Sequence, residues 1–110
     1  MAIYHTVMIT FKALVPQNEI NAACQGLLSL SEKCKHPTTG EPYLKVLGVG
    51  KENSIEGLQG EVTHVMVVKF ENKKDREYYT HSDPAHLALI PTITPNVRKL
   101  QVVDFTPGEF

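Results

Sequence analysis

Tryptophan is absent from the 110-residue sequence, and cysteine occurs only twice, at Cys24 and Cys34. The two cysteines are ten residues apart on one predicted helix and its end, where a rise of about 1.5 Å per residue separates them by about 15 Å. A disulfide requires Cα atoms within about 7 Å of each other. The sequence therefore predicts two reduced thiols and a reducing compartment, the cytoplasm.

Long apolar runs and charge clusters are also missing. No run approaches the roughly 18 apolar residues of a membrane-spanning helix, and the N-terminus lacks a charged region followed by an apolar stretch. The net charge is -1, and no basic cluster indicates a nucleic-acid or anionic membrane surface. We therefore expect a soluble protein with no nucleic-acid and no membrane partner, folded as a single domain over residues 1–110.

Two stretches of alternating residues, 3–11 and 62–70, are the clearest pattern that the sequence does contain. Side chains alternate between the two faces of a strand. This alternation places His5 on the more apolar face of the first stretch and His64 on that of the second. If the two strands are neighbours in one sheet, one apolar surface carries two imidazoles near its rim. We expect the rest of the chain to cover that surface.

Helical and strand patterns alternate along the rest of the chain. Apolar residues recur at helical spacing over residues 17–34, after Pro16, which suits a first helical turn. Gly26 either weakens this helix, by up to about 1 kcal/mol relative to Ala, or marks a close approach to the sheet. The remaining predicted elements are a strand over 43–49, a helix from the N-cap Asn72 to 81, a helix over 84–90 that Asp83 caps and that ends before Pro91, and a strand over 97–105. The order β-α-β-β-α-β predicts a ferredoxin-like α+β fold, in which both helical segments lie on one face of a four-stranded antiparallel sheet.

The opposite face of the predicted sheet is also partly apolar. Met8 lies on this face of the first strand, and Val65 and Val67 lie on it in the second. A monomer rarely leaves such a patch in water. We therefore expect a homodimer in which a second copy stacks sheet to sheet.

His86 on the short helix is the main candidate for chemistry, although a surface histidine is the alternative. An imidazole exchanges a proton near neutral pH, and the hydroxyl of Tyr78 or Tyr79 could donate to a carbonyl or enolate-like oxygen. Asp104 is either a solvated carboxylate or the group that orients the imidazole of His86. His5 and His64 fit satisfied histidines at the edge of a core better than catalysts.

Motifs for metals and cofactors are absent. The histidines lie on separate elements without HxH, HxxxH or HExxH spacing, and neither cysteine belongs to a CxxC pair. The sequence contains neither the phosphate loop GxxxxGK[ST] nor the nucleophile elbow GxSxG. We therefore predict no metal and no cofactor.

Short motifs near both ends and in the middle carry a family resemblance. They are Met1-Ala2-Ile3-Tyr4-His5, Thr63-His64-Val65 followed by Phe70-Glu71, Asp83-Pro84-Ala85-His86, and Asp104-Phe105-Thr106-Pro107. In this order and spacing, over nearly the whole length, the chain resembles the stress-responsive A/B barrel (Dabb) proteins of the dimeric α+β barrel superfamily. The resemblance implies a homodimer whose two sheets pack into one barrel, with a ligand cavity between each sheet and its own helices.

The resemblance also implies a site. The family includes polyketide cyclases of the olivetolic acid type, which close a linear tetraketide thioester by an intramolecular aldol condensation. The resemblance implies that His86 is the general base and that Asp104 orients it. It also implies that a tyrosine, with Tyr78 as the first choice and Tyr79 as the second, stabilises the oxyanion together with His5. The residues implied for the cavity are Val7, Ile9, Leu27, Leu28, His64 and Met66.

Three hypotheses follow for function. The first is a cofactor-free cyclase or lyase that acts on a small apolar poly-carbonyl substrate by histidine-based proton abstraction. The second is a binding module for an apolar or phenolic ligand, without chemistry. The third is a structural stress protein, whose cavity would be filled by its own side chains.

Overall fold

The structure, a computed structural model, describes every residue from Met1 to Phe110. Its elements are β1 (Ile3–Phe11), α1 (Gln17–Leu28), α2 (Leu30–Lys33), β2 (Leu44–Lys51), β3 (His64–Phe70), α3 (Lys73–His81), α4 (Pro84–Ile93), a 3-10 turn (Thr94–Asn96) and β4 (Val97–Phe105). None of these helices combines the length and the apolar character needed to cross a membrane.

All four strands form one antiparallel sheet in the order β2-β3-β1-β4. This order is typical of the ferredoxin-like arrangement, and it confirms the predicted α+β fold. The core lies between one face of the sheet and the helices. Alternate residues of the two central strands supply most of it, as period-two alternation predicts, and the buried members from these strands are Ile3, Val7, Ile9, Phe11, Met66, Val68 and Phe70.

His5 and His64 lie at opposite ends of this inner face. In the antiparallel register His5 is opposite Val68, whereas Ile9 is opposite His64. Four residues of strand, at about 3.3 Å each, separate the two imidazoles by about 13 Å along the sheet. Both imidazoles therefore lie on one apolar face near its rim, as predicted, but at opposite edges of it. Antiparallel pairing separates them because each histidine lies near the start of its strand.

Two helix boundaries also differ from the prediction. The predicted helix over 17–34 is interrupted at Ser29, whose hydroxyl donates to the Gly26 carbonyl oxygen over 2.6 Å. Helix α4 does not end before Pro91 but continues through it to Ile93. The missing N–H of proline removes one helical hydrogen bond. Because Ile93 is buried in the core, the continued helix gains apolar burial that offsets this loss.

The outer face of the sheet is not covered by any part of the chain. Met8, Val65 and Val67 are half-buried there, as expected for an apolar patch, and β4 extends the patch with Val103 and Phe105, each 53% exposed. The ring of Phe105 stacks on Tyr4 with a centroid distance of 5.5 Å. The outer face therefore presents a continuous apolar area across β3, β1 and β4.

Gly26 marks a close approach between two helices. A Cβ atom at this position of α1 would lie 2.9 Å from Cδ1 of Leu89 in α4. The approach is thus to α4 and not to the sheet. The glycine lets α4 pack closely against α1, and α4 is the helix that carries His86.

We expect Gly26→Leu to destabilise the protein by about 1–3 kcal/mol, because a large side chain overpacks the contact between α1 and α4. Gly26→Ala should stay within about 1 kcal/mol of the wild type, since the gain in helix propensity offsets a small displacement of the flexible Leu89 side chain. Urea unfolding measures both. Ala22→Leu on the exposed side of the same helix is the control, and an equal loss in A22L would contradict the packing argument.

Candidate active site

The start of α4 places His86. Asp83 is the N-cap residue, and its Oδ1 accepts hydrogen bonds from the backbone N–H groups of Ala85 over 2.9 Å and His86 over 3.5 Å. Pro84 follows at the first helical position, where its missing N–H costs nothing. The predicted cap is confirmed, and it holds His86 in the first turn of the helix.

The imidazole of His86 is oriented by a backbone carbonyl. Its Nδ1 lies 2.8 Å from the carbonyl oxygen of Tyr79. A carbonyl oxygen can only accept, so Nδ1 carries the proton and Nε2 of the neutral ring holds a lone pair. Burial lowers the pKa of His86, and the Tyr79 carbonyl and the Asp83 carboxylate oppose that shift. The ring is therefore favoured in the neutral form that a base requires.

Tyr79 lies between two imidazoles. Its ring stacks on His86 at a centroid distance of 3.9 Å and meets the edge of His5 at 6.0 Å. The residue is 2% exposed, and burial raises the pKa of its hydroxyl. The hydroxyl therefore stays protonated at neutral pH and can act as a hydrogen-bond donor.

His5 is paired with a carboxylate. The register of β1 and β4 places His5 directly opposite Asp104, and His5 Nδ1 lies 2.7 Å from Asp104 Oδ1. Arg76 of α3 donates from Nη1 to the other oxygen, Oδ2, over 3.2 Å. Hydrogen bonds to an ionised carboxylate are stronger than those between neutral groups. Asp104 is thus held from both sides, by an imidazole and a guanidinium.

The expected contact between Asp104 and His86 is not formed. Asp104 belongs to β4, and its register with β1 assigns it to His5, while the Tyr79 carbonyl takes the orienting role at His86. The first-choice tyrosine, Tyr78, lies elsewhere: its ring meets Tyr43 at 5.7 Å. Consecutive helical residues point about 100° apart, so only Tyr79 faces the histidines.

The residues predicted to line a cavity fill the core instead. Val7, Ile9, Leu27 and Met66 are buried and pack together in the main hydrophobic cluster, and Leu28 is exposed. His64 is buried too, and it contacts Thr63 Oγ1 through Nδ1 at 2.9 Å and the ring of Phe11 at 5.0 Å. These side chains occupy the space beneath the helices.

Apolar surface on the helix-covered side of the sheet remains open along β4. Leu100 is opposite Ile9 and Val102 is opposite Val7, so both side chains share the face that the helices cover. They are nevertheless 49% and 51% exposed. We call Leu100 and Val102 the β4 strip. It leads along the strand to Asp104. A ligand could contact this apolar surface next to the polar cluster formed by His5, Asp104 and Arg76.

Sequence reasoning missed Arg76 and Tyr43. Arg76 lies in the charged run 71–77, which is typical of a solvated helix, and no local signal indicates that it reaches Asp104. Tyr43 precedes β2, and its hydroxyl donates to Asp83 Oδ2 over 2.5 Å, a contact between residues 40 positions apart. Both cysteines are free, and no group of three His, Cys, Asp or Glu side chains is arranged to hold a metal ion.

A family profile described as the stress responsive A/B barrel domain (Dabb) matches residues 3–107. The chain belongs to this family. It is 30% identical over 104 residues to the stress-response A/B barrel domain-containing protein HS1 of Arabidopsis thaliana, a match that covers 94% of this chain and 87% of that protein.

Solved Dabb-like structures share the fold. A crystal structure of an Arabidopsis thaliana protein superimposes with a TM-score of 0.74 at 27% identity, covering 98% of this chain and 97% of that one. A hydroxynitrile lyase from Passiflora edulis reaches 0.80 at 19% identity, with 99% and 96% covered. A protein from Thermobifida fusca, described as dimeric, ferredoxin-like and of unknown function, reaches 0.74 at 20% identity, with 96% and 91% covered.

We expect Asp104→Asn to lower the free energy of unfolding by about 1–3 kcal/mol at neutral pH, because His5 and Arg76 lose their charged partner. Chemical denaturation measures the change. Glu71→Gln is the matched control: Glu71 is exposed and meets Lys69 only at 3.8 Å, so the loss there should stay below about 0.5 kcal/mol. Equal losses in the two variants would contradict a specific role of Asp104.

Proposed function

We propose that this Dabb protein is a cofactor-free proton-transfer catalyst of the lyase or cyclase class, which acts on a small apolar poly-carbonyl substrate. One observation carries the proposal: the Tyr79 carbonyl oxygen holds the proton of His86 on Nδ1, so that Nε2 is available as a base. A tyrosine hydroxyl and a second imidazole, backed by a carboxylate, lie next to it. This set is suited to removing a proton beside a carbonyl group.

In the proposed reaction His86 Nε2 takes a proton from the carbon next to a carbonyl, and the C–H electron pair moves into an enolate. The hydroxyl of Tyr79 donates to the enolate oxygen. Asp104 orients the imidazole of His5 through Nδ1, and this ring lies across Tyr79 at the same site. The enolate carbon then attacks another carbonyl of the same substrate, and His86 returns its proton to the new alkoxide. Bonds and protons balance without a co-reactant.

The β4 strip supports an apolar substrate. Leu100 and Val102 lie on the same strand face as Asp104 and expose about half of their surface, so a hydrocarbon or aromatic part of a ligand could be bound there while its carbonyl groups approach the histidines. The lyase from Passiflora edulis with the same fold adds support for the reaction class. A cytoplasmic location stays a prediction from the two reduced thiols.

A homodimer is part of the proposal. The apolar outer face of the sheet lacks a cover within the chain, and solved proteins with this fold are described as dimeric. A second copy packed on this face would remove Val103 and Phe105 from water. Apolar burial of this kind, at about 25 cal/mol per Å², is the main driving force for such association.

We expect Val103→Asp to convert the dimer to a monomer, because it introduces a charge on the apolar face that the second copy would cover. Analytical ultracentrifugation measures the mass in solution. Ile55→Asp, in the exposed connection between β2 and β3, is the matched control and should remain dimeric. A wild-type monomer, or a V103D dimer, would contradict the sheet-to-sheet assembly.

A second candidate, a stress-responsive dimer that binds ligands without chemistry or serves as a scaffold, is favoured by the filled core. The side chains of Val7, Ile9, Leu27 and Met66 occupy the place where the resemblance implied a cavity. Binding of a phenolic acid without turnover would support the binding module. If the protein neither binds nor converts such a ligand, the scaffold role is the one that remains.

We expect His86→Ala to lose at least about 10²-fold in turnover of poly-β-ketoacyl thioesters, the contribution of a positioned base. His81→Ala, at the exposed end of α3, is the control. Because the neutral imidazole is the active form and burial lowers the pKa of His86, the rate should fall only below about pH 6.5. Unchanged turnover in H86A, with the dimer intact, would remove the assignment.

A further inference from the structure

A buried carboxylate lies outside the proposed reacting groups. Asp83 is 1% exposed. Its Oδ1 caps α4, and its Oδ2 accepts the hydrogen bond from the Tyr43 hydroxyl over 2.5 Å. Tyr43 is itself buried and immediately precedes β2. The Asp83 side chain therefore connects the start of α4 to the start of β2, an edge strand of the sheet.

The other groups around Asp83 are donors. The Cys34 thiol, at the end of α2, lies beside the carboxylate and the backbone N–H of His86, and burial followed by the charge of Asp83 raises its pKa to about 12. Burial and the hydrogen bond to Asp83 likewise raise the pKa of Tyr43. Both groups stay protonated at neutral pH. The carboxylate is thus satisfied by the Tyr43 hydroxyl and by two backbone N–H groups, without a cation.

We propose that Tyr43 and Asp83 act as a positioning pair, which holds the N-terminus of α4 and thereby sets the orientation and the protonation of the His86 imidazole. The role of His86 as a base rests on the proposed function, but the coupling itself does not. Neither residue would touch the substrate. Tyr43 would act only through Asp83, and Asp83 only through the helix start and its charge.

Geometry gives two routes for the coupling. The first is mechanical: Oδ1 binds the N–H groups of Ala85 and His86, so Asp83 fixes the backbone from which the His86 imidazole projects. The second is electrostatic: a nearby negative charge favours imidazolium. The Tyr43 hydroxyl weakens this charge because its hydrogen bond partly neutralises the carboxylate.

The groups that face His86 come from four elements. Tyr79 of α3 offers its carbonyl and ring, and His5 of β1 lies across Tyr79. Cys34, which follows α2, lies beside the backbone N–H, and Asp83 caps the helix. In Tyr43→Phe and Asp83→Asn the other three groups are unchanged. The two substitutions therefore isolate the pair.

The test follows the imidazole signals of His86 in the ¹⁵N-labelled full-length chain by NMR, with no substrate present. Asp83→Asn keeps a capping oxygen but removes the charge, so the titration midpoint of His86 should fall, by about 0.5 pH unit or more. Tyr43→Phe leaves the charge with one donor fewer, so the negative charge near His86 is stronger and the midpoint should rise. The opposite signs distinguish the proposed coupling from a general loosening of the fold.

Tyr4→Phe is the matched control, because this tyrosine packs on Phe105 on the opposite face of the sheet; its His86 midpoint should equal that of the wild type. Midpoints within about 0.1 pH unit in both Y43F and D83N, or shifts of the same sign, would overturn the inference. If D83N does not fold, Y43F decides alone: a raised His86 midpoint supports the inference, and an unchanged or lowered midpoint overturns it. If the protein shows these midpoint shifts but no turnover, the proposed function is refuted and the positioning pair is retained.

Discussion

The antiparallel pairing of β1 with β3 on one side and β4 on the other is the constraint on which the rest depends. One register places His5 opposite Val68 and Asp104 at once. The same register aligns the apolar residues of both central strands toward the helices, so that the core and the polar cluster are set together. A slip by one residue would turn His5 and its apolar neighbours to the outer face.

The arrangement around His86 shows how a small domain can orient an imidazole without a dedicated carboxylate. The carbonyl oxygen of Tyr79 belongs to the backbone of α3, and it sets the tautomer by accepting the Nδ1 proton. The nearest carboxylate, Asp83, acts on the backbone side, as a helix cap. Asp104 is thereby free to serve the other histidine, His5. The two imidazoles are held by independent means.

The filled core and the open β4 strip point to a ligand surface at the edge of the sheet and not beneath its centre. The helices pack over β2, β3 and β1, while Leu100 and Val102 on the outermost strand stay half-exposed. The polar cluster lies at the same edge through Asp104. A domain of this size has one core, and a filled core stabilises the fold. A ligand is therefore accommodated at the β4 edge of the sheet.

Local sequence determined the elements. Period-two alternation located β1 to the residue and the start of β3 to within two residues. The capping preferences of Asn72 and Asp83 located the starts of α3 and α4, because these signals depend on neighbouring residues alone. Tertiary structure decided which side chains meet. The partners of Asp104, the choice of Tyr79 over Tyr78, the link from Tyr43 to Asp83 and the filling of the predicted cavity all depend on strand register, helix rotation and packing. Those are relations between segments distant in sequence, on which local patterns carry no information.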